Sequence, residues 1–321
     1  RAGCLHLPPI LARIAIPPRG PIRSNPAAEE RAFVATMGMT AQHERNASGR
    51  PTVSTRPFTA ARACISDVAA LAREIPLFPV ERTMSLARLA LVREAAATGP
   101  AAARIGWAAI FMKAYAIVAR DMPVLRTWLV RRFPCLPLGI GARLATCSES
   151  VATLAVNRVE DGADRLLWGR LARPDELPLP AIQRFVADCG TKPVEEMFRR
   201  QLQLEMLPGL VRRTILRWNI GSGSPKRATR IGTFSLSTLA GLGATNRFHP
   251  TICTTSLAYA PLDADGRCLV TLIADHRILD GVAAARALVA LEETLTGTMR
   301  DELASLASVK PPTAARRPTA A

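Results

Sequence analysis

Apolar residues fall at helical spacing in several stretches of the chain and alternate or cluster in others. From Ile105 to Arg120 almost every face is apolar, which predicts a buried helix, stopped before Pro123 because the residue ahead of a proline avoids helical geometry. Leu86 to Glu94 places leucines and arginines at helical intervals, with Pro79 to Ser85 leading into it. Ile65 to Leu71 leads into another helix near the start of the ordered region. Pro178 to Cys189 carries Ile182, Phe185 and Val186 on one helical face, and Val194 to Arg217 reads as one or two amphipathic helices. Short strands are expected at Leu136 to Ile140 and at Val151 to Val156. Thr255 to Ala260 and Leu269 to Ala274 form a strand pair joined by the turn Asp263-Ala264-Asp265-Gly266. Val282 to Leu291, rich in alanine and leucine, closes the pattern as a helix.

The pattern sets the domain limits. Residues 1–50 mix proline, arginine and polar residues without a period, and Pro8-Pro9, Pro17-Pro18, Pro21 and Pro26 break any helix there, so this segment is expected to be poorly ordered. The first residue is not methionine, which makes part of this segment, upstream of Met37 or Met39, a candidate translation artefact; whether residues 1–36 belong to the protein is left open, and no function is assigned to them. One domain is assigned to residues 51–300, and 301–321 to a disordered tail.

Composition adds less than its extremes suggest. Hydrophobic residues make up 49%, enough for a sizeable core. The formal net charge of +16 would suit a polyanionic partner. The arginines are dispersed, however, aromatics reach only 5%, and no basic helix or nucleic-acid motif is present. Arginine- and alanine-rich usage also fits a GC-rich bacterial genome, so nucleic acid is not the expected partner. Seven scattered cysteines without a Cys-x-x-Cys pair argue against a disulfide framework and point to a reducing cytoplasm. The longest apolar run, Ile105 to Ala119, is too short to span a membrane and contains Lys113. The start, Leu5 to Ile16, is broken by Pro8 and Pro9 and makes a poor signal peptide.

Candidate chemistry concentrates in Asp275-His276-Arg277-Ile278-Leu279-Asp280-Gly281. A β-branched run ends where His276 begins, and a helix follows Asp280. A histidine is thus held at a strand end, with an aspartate four residues later where it can cap the helix or meet its positive end. The other histidines are less informative: His6 and His43 lie in the irregular start, and His249, beside Pro250, reads as structural. No histidine, cysteine or carboxylate cluster has metal-ligand spacing.

The segment resembles the His-x-x-x-Asp-Gly motif of coenzyme A-dependent acyltransferases. The Asp-His-Arg lead-in narrows this to the E2 catalytic domain of 2-oxoacid dehydrogenase complexes, related in fold to chloramphenicol acetyltransferase. A second stretch, Gly232-Thr233-Phe234-Ser235-Leu236-Ser237-Thr238-Leu239-Ala240-Gly241-Leu242-Gly243, is similar to that family's Gly-x-Phe-Thr-Ile-Ser-Ser-Leu-Gly-Gly-Leu-Gly, with Phe248 and Pro250 following in place. Lys113-Ala114 and Pro123-Val124-Leu125 match a further helix of the family, although Arg126 stands where asparagine is usual.

The resemblance covers about residues 57–297 and implies an α+β fold, a two-layer α/β sandwich with a mixed sheet covered by helices. It implies transfer of an acyl group from coenzyme A to a thiol, hydroxyl or amine, with His276 as general base. Ser237 would stabilise the tetrahedral intermediate, by about 2–4 kcal/mol for such donors. Asp280 would order the site, with an arginine as its partner. It further implies a homotrimer in which His276 and Ser237 come from different chains, and a lipoyl-bearing partner protein. Lys226, Arg227 and Arg230, on the loop that starts at Gly221, are candidates to meet coenzyme A phosphates.

Three departures bear on this. The chain from Ser237 to His276 is shorter than in full-size enzymes, no lipoyl domain with its Asp-Lys-Ala tip is present, and no subunit-binding segment is recognisable. A stand-alone acyltransferase is therefore the expectation, with a catalytically silent trimeric scaffold or regulatory protein as the alternative.

Overall fold

The structure is a computed structural model that describes residues 53–55, 57–98, 104–131, 141–160 and 162–308. In chain order these form α1 (Ala60–Ala72), β1 (Leu77–Ser85), α2 (Ala87–Thr98), α3 (Trp107–Asp121), a 3-10 turn (Pro123–Arg126), β2 (Thr127–Val130), β3 (Arg143–Thr146), β4 (Val151–Glu160) and β5 (Ala163–Ala172). Then follow α4 (Leu179–Thr191), α5 (Val194–Met197), α6 (Arg199–Glu205), α7 (Gly209–Gly221), α8 (Lys226–Ile231), β6 (Phe234–Leu236), β7 (Thr255–Tyr259) and β8 (Arg267–Asp275). Helices α9 (Gly281–Thr294) and α10 (Arg300–Ser308) end the described chain, joined by a π turn at Leu295–Met299.

Six strands make a mixed sheet in the order β1-β8-β7-β6-β4-β5. Its centre, β4-β6-β7, is parallel, and the outer pairings are antiparallel. Strands β2 and β3 pair separately. The class is α+β, as the resemblance implied.

Alternation along the central strands gives the sheet two unlike faces. Phe234, Leu236, Leu257, Leu272 and Leu154 are all buried in one core with α3, α9 and α4. Tyr115 of α3 lies against Phe234 with ring centroids 4.8 Å apart, and Phe111 stacks on Tyr259 at 4.4 Å. The Tyr115 hydroxyl donates to Thr255 Oγ1 at 2.8 Å, so the phenol, although fully enclosed, keeps a partner. Burial pushes this phenol well above its ordinary range. The second face carries Thr153, Ser235, Ser237 and Ser256. Over its β4-β5-β6 half, residues of α1, α6 and α7 face it across a cavity. Gln201 of α6 closes the free edge of β5, donating to the Leu166 carbonyl and accepting from the Trp168 amide.

Several sequence expectations need correction. Pro79 to Ser85 is the edge strand β1, paired along its length with β8. The tail assigned from residue 301 is helical to Ser308: Leu303 is fully buried, and Glu302 binds Lys113 Nζ at 2.6 Å and the Leu179 amide at 2.9 Å. The segment Gly221 to Arg227 is a loop only in its middle, because α7 ends at Gly221 and α8 begins at Lys226. The strand expected at 136–140, residues 1–50 and the chain beyond 308 lie outside the described residues.

The turn before β8 forms as expected. Asp263 Oδ1 accepts the amides of Asp265 and Arg267. Gly266 sits at φ 72°, with its Cα so close to Ala87 that a Cβ there would meet the Ala87 backbone at 2.6 Å.

Candidate functional site

His276 is placed by the end of β8. The Asp275 amide donates to the Thr254 carbonyl and the His276 amide to the Pro76 carbonyl, both at 2.9 Å, so β7 and the chain entering β1 hold the backbone from either side. Asp275 is buried, and Arg277 grips it through Nε at 2.8 Å and Nη2 at 2.6 Å. This fork neutralises the buried carboxylate and locks the turn.

The His276 ring rests 4.5 Å from the Phe78 ring, and its Nδ1 lies 3.1 Å from the Leu279 carbonyl oxygen. A carbonyl only accepts, so Nδ1 carries the proton in the neutral ring and Nε2 is left with its lone pair. The side chain is 56% exposed and no described residue occupies Nε2. The imidazole is thus oriented as a base facing outward.

Asp280 plays a smaller part than a cap. It occupies the N-cap position of α9 and its carbonyl accepts the Ala284 amide, but its carboxylate makes no capping hydrogen bond. Oδ1 stands 4.0 Å from His276 Nδ1, and the side chain is 89% exposed. No arginine among the described residues pairs with it; the paired arginine of the motif, Arg277, serves Asp275.

Ser237 lies at the other end of the sheet. It follows β6, its amide donates to the Leu257 carbonyl at 3.0 Å, and register aligns it with Ala258 and Thr271. Two strand spacings and five residues of β8 separate it from His276, about 15–20 Å at the backbone. A single chain does not bring the two together.

Ser237 instead borders a cavity of about 830 Å³ between the polar sheet face and α1, α6 and α7. Ile65, Val68, Trp168, Leu204 and Ile215 supply apolar walls. One side is a chain of hydroxyls and one imidazole. His249 Nε2 lies 2.7 Å from Ser256 Oγ, Ser235 Oγ donates to Ser256 at 2.6 Å, and Thr251 Oγ1 is 3.2 Å from Ser235 Oγ. Asn246 Nδ2 is 3.1 Å from His249 Nδ1. Burial pushes the His249 imidazole down to about 4, so it is neutral at neutral pH. Sequence reasoning treated His249 as an isolated structural residue. Its hydroxyl partner Ser256 and that residue's own partner Ser235 sit on two strands, and only the pairing of β6 with β7 gathers them.

The three basic candidates separate. Arg227 is buried, lies 4.6 Å over the Trp128 ring and donates to the carbonyls of Gly232 at 2.9 Å and Ile252 at 3.3 Å. It braces the turn into β6, and burial draws its guanidinium down to about 10. Lys226 and Arg230 are exposed, and of the three only Arg230, held at 2.7 Å by Asn219 Oδ1, borders the cavity. Arg126, at the family's asparagine position, is buried. It donates Nε to the Ala119 carbonyl at 2.8 Å and Nη1 to that of Ser148, tying the end of α3 to the approach to β4. Among the described residues no cluster of histidine, cysteine and carboxylate side chains could hold a metal ion, and no helix is long and apolar enough to cross a membrane.

No family model and no curated protein sequence matches the chain. Solved structures do. Dihydrolipoamide acetyltransferase of Azotobacter vinelandii superposes with a TM-score of 0.56 at 17% identity, over 90% of this chain and 100% of that one. The cubic core of a pyruvate dehydrogenase multienzyme complex gives 0.55 at 17% identity, with the same coverage. The truncated catalytic core of the 2-oxoacid dehydrogenase complex from Thermoplasma acidophilum gives 0.52 at 14%, over 77% of this chain and 99% of that one. The chain therefore has the fold of 2-oxoacid dehydrogenase acyltransferase cores.

Proposed function

We propose that the chain is an acyltransferase that takes its acyl group from a coenzyme A thioester, with His276 as general base and Ser237 as the donor to the developing oxyanion. The observation that carries this is the orientation of His276: Nδ1 is committed to the Leu279 carbonyl, and Nε2 is free on an open face. An acceptor thiol, hydroxyl or amine gives its proton to Nε2 as it attacks the thioester carbonyl. The tetrahedral oxyanion accepts a hydrogen bond from the Ser237 hydroxyl. Collapse breaks the carbon–sulfur bond, and the imidazolium returns the proton to the leaving thiolate. Arg277, by holding Asp275, keeps the strand end that carries the base in place; Asp280 adds a negative field near Nδ1.

Because Ser237 and His276 are far apart within one chain, this reading requires a second copy, and a homotrimer supplies one. The likeness to a protein that builds the cubic core of a pyruvate dehydrogenase complex supports such assembly. The Azotobacter vinelandii enzyme, whose catalytic mechanism has been studied through a serine, a histidine and an asparagine, supports the pairing of a serine with a histidine. Arg230, at the cavity edge, is the candidate for a coenzyme A phosphate, and a lipoyl-bearing protein is a candidate acceptor. The unpaired buried thiols fit a reducing cytoplasm. The second reading, a silent trimeric scaffold, draws on the short connection between Ser237 and His276.

The test is coenzyme A release from acetyl-CoA in the presence of free dihydrolipoamide. Wild type is expected to exceed His276→Ala by about 10²–10⁴-fold. Equal rates in the two proteins leave only the scaffold.

A further inference from the structure

Four arginines leave a buried Nε without a hydrogen-bond partner: Arg93, Arg165, Arg170 and Arg227. Three of them are held elsewhere. Arg93 donates through Nη1 to the Ile105 carbonyl, Arg165 forms ion pairs with Glu160 and Glu205, and Arg227 donates to the Gly232 carbonyl. Arg170 alone has no hydrogen bond and no ion pair among the described residues. It sits in the wall of the 830 Å³ cavity, on β5 opposite Thr153.

A partly buried guanidinium without a counter-charge is a costly arrangement. The buried carboxylates of the covering helices do not relieve it. Asp67 is taken by Arg212 and Arg213, and Glu205 by Arg165 and Gln201. Burial lowers the affinity of Arg170 for its proton; the Cys253 thiol acts in the opposite sense, and Arg200, of like sign, adds to the lowering.

Ser237 borders the same cavity. By register, Arg170 lies two strands and two residues from Ser237, about 12 Å at the backbone, which an arginine side chain and a short acyl chain span together. We propose that the cavity is an acyl pocket for a dicarboxylic substrate: the thioester carbonyl meets Ser237 and the distal carboxylate pairs with Arg170. This rests on the reading of Ser237 as the oxyanion donor. The apolar walls take the methylenes between the two ends, and the substrate supplies the counter-charge that no described residue provides.

Calorimetry with glutaryl-CoA and butyryl-CoA tests it. The two probes share the whole coenzyme and differ chiefly in the terminal carboxylate. Wild type is expected to bind glutaryl-CoA about 10- to 100-fold more tightly, the value of one charged hydrogen-bonded contact. Arg170→Gln is expected to erase that preference while holding butyryl-CoA within about twofold of wild type. Equal or weaker binding of glutaryl-CoA by wild type overturns the proposal without recourse to any variant, as does a preference that survives Arg170→Gln. No acceptor is present, so a preference found alongside failed acyl transfer keeps the pocket and removes the enzyme reading. Transfer without a preference does the reverse, and binding of neither thioester overturns the pocket.

Discussion

The two faces of the six-stranded sheet obey different rules. On one, Phe234, Leu236, Leu257 and Leu272 meet Phe111, Tyr115 and the α9 helix in a core with almost no solvent access. On the other, one residue along each strand, stand Thr153, Ser235, Ser256 and Arg170, beside a cavity. The same backbone serves both, because side chains alternate at every step. The packed face supplies stability; the polar face is where burial is left incomplete and hydroxyls, an imidazole and a guanidinium gather. A comparison of this kind has energetic content. Residues on the first face should cost stability when truncated, and residues on the second should cost activity or change the response to pH.

The largest effect should come from the packed face. Phe234→Ala removes a fully buried ring from beside Tyr115 and is expected to cost about 3–5 kcal/mol in urea unfolding. A loss below about 1 kcal/mol would break the contrast between faces. Next, Ser237→Ala should lower acyl transfer by about 10²–10³-fold, the range for removal of one oxyanion donor. Its urea midpoint should stay close to wild type. A matched fall in stability and activity would instead make Ser237 a structural residue.

The third effect is pH-dependent. His249 is held neutral in the fold, down to about 4, against an ordinary value of 6.5. The unfolded chain therefore takes up this proton first as pH falls. Stability from this group is complete above about 6.5 and drains away between about 6.5 and 4, by up to roughly 3 kcal/mol. His249→Gln should flatten that part of the stability profile. An unchanged slope would place the imidazole in water rather than in the cavity wall.

Legibility in the sequence followed the range of the interactions. Helix α3, the hairpin β7–β8 and its turn were readable because each is set by neighbours: apolar residues on every helical face, Asp263 taking two amides close ahead, Gly266 tolerating φ 72°. Strand β1 was not, because an edge strand carrying Pro79, Glu81 and Arg82 lacks the apolar alternation of a buried one. Its identity comes from β8, nearly two hundred residues away. Strand β5 drew no expectation either: Asp164, Arg165 and Arg170 obscure its period, and the partners of the first two appear only in three dimensions. Helix α10 looked like tail because its alanines and serines are weakly apolar. Leu303 and Glu302 anchor it to distant elements.

For the candidate site, the motif around His276 was legible because the strand end, the histidine and the helix start are contiguous. What the sequence alone determined is therefore local: a histidine at a strand terminus, a serine beside a glycine-rich turn and the helices that cover an apolar sheet face. The tertiary structure decided which charges are neutralised, pairing Arg277 with Asp275 and leaving Arg170 without a partner among the described residues. It also decided that Ser237 and His276 sit at opposite ends of one sheet. Strand pairing sets such separations, and its register depends on contacts between residues far apart in the chain.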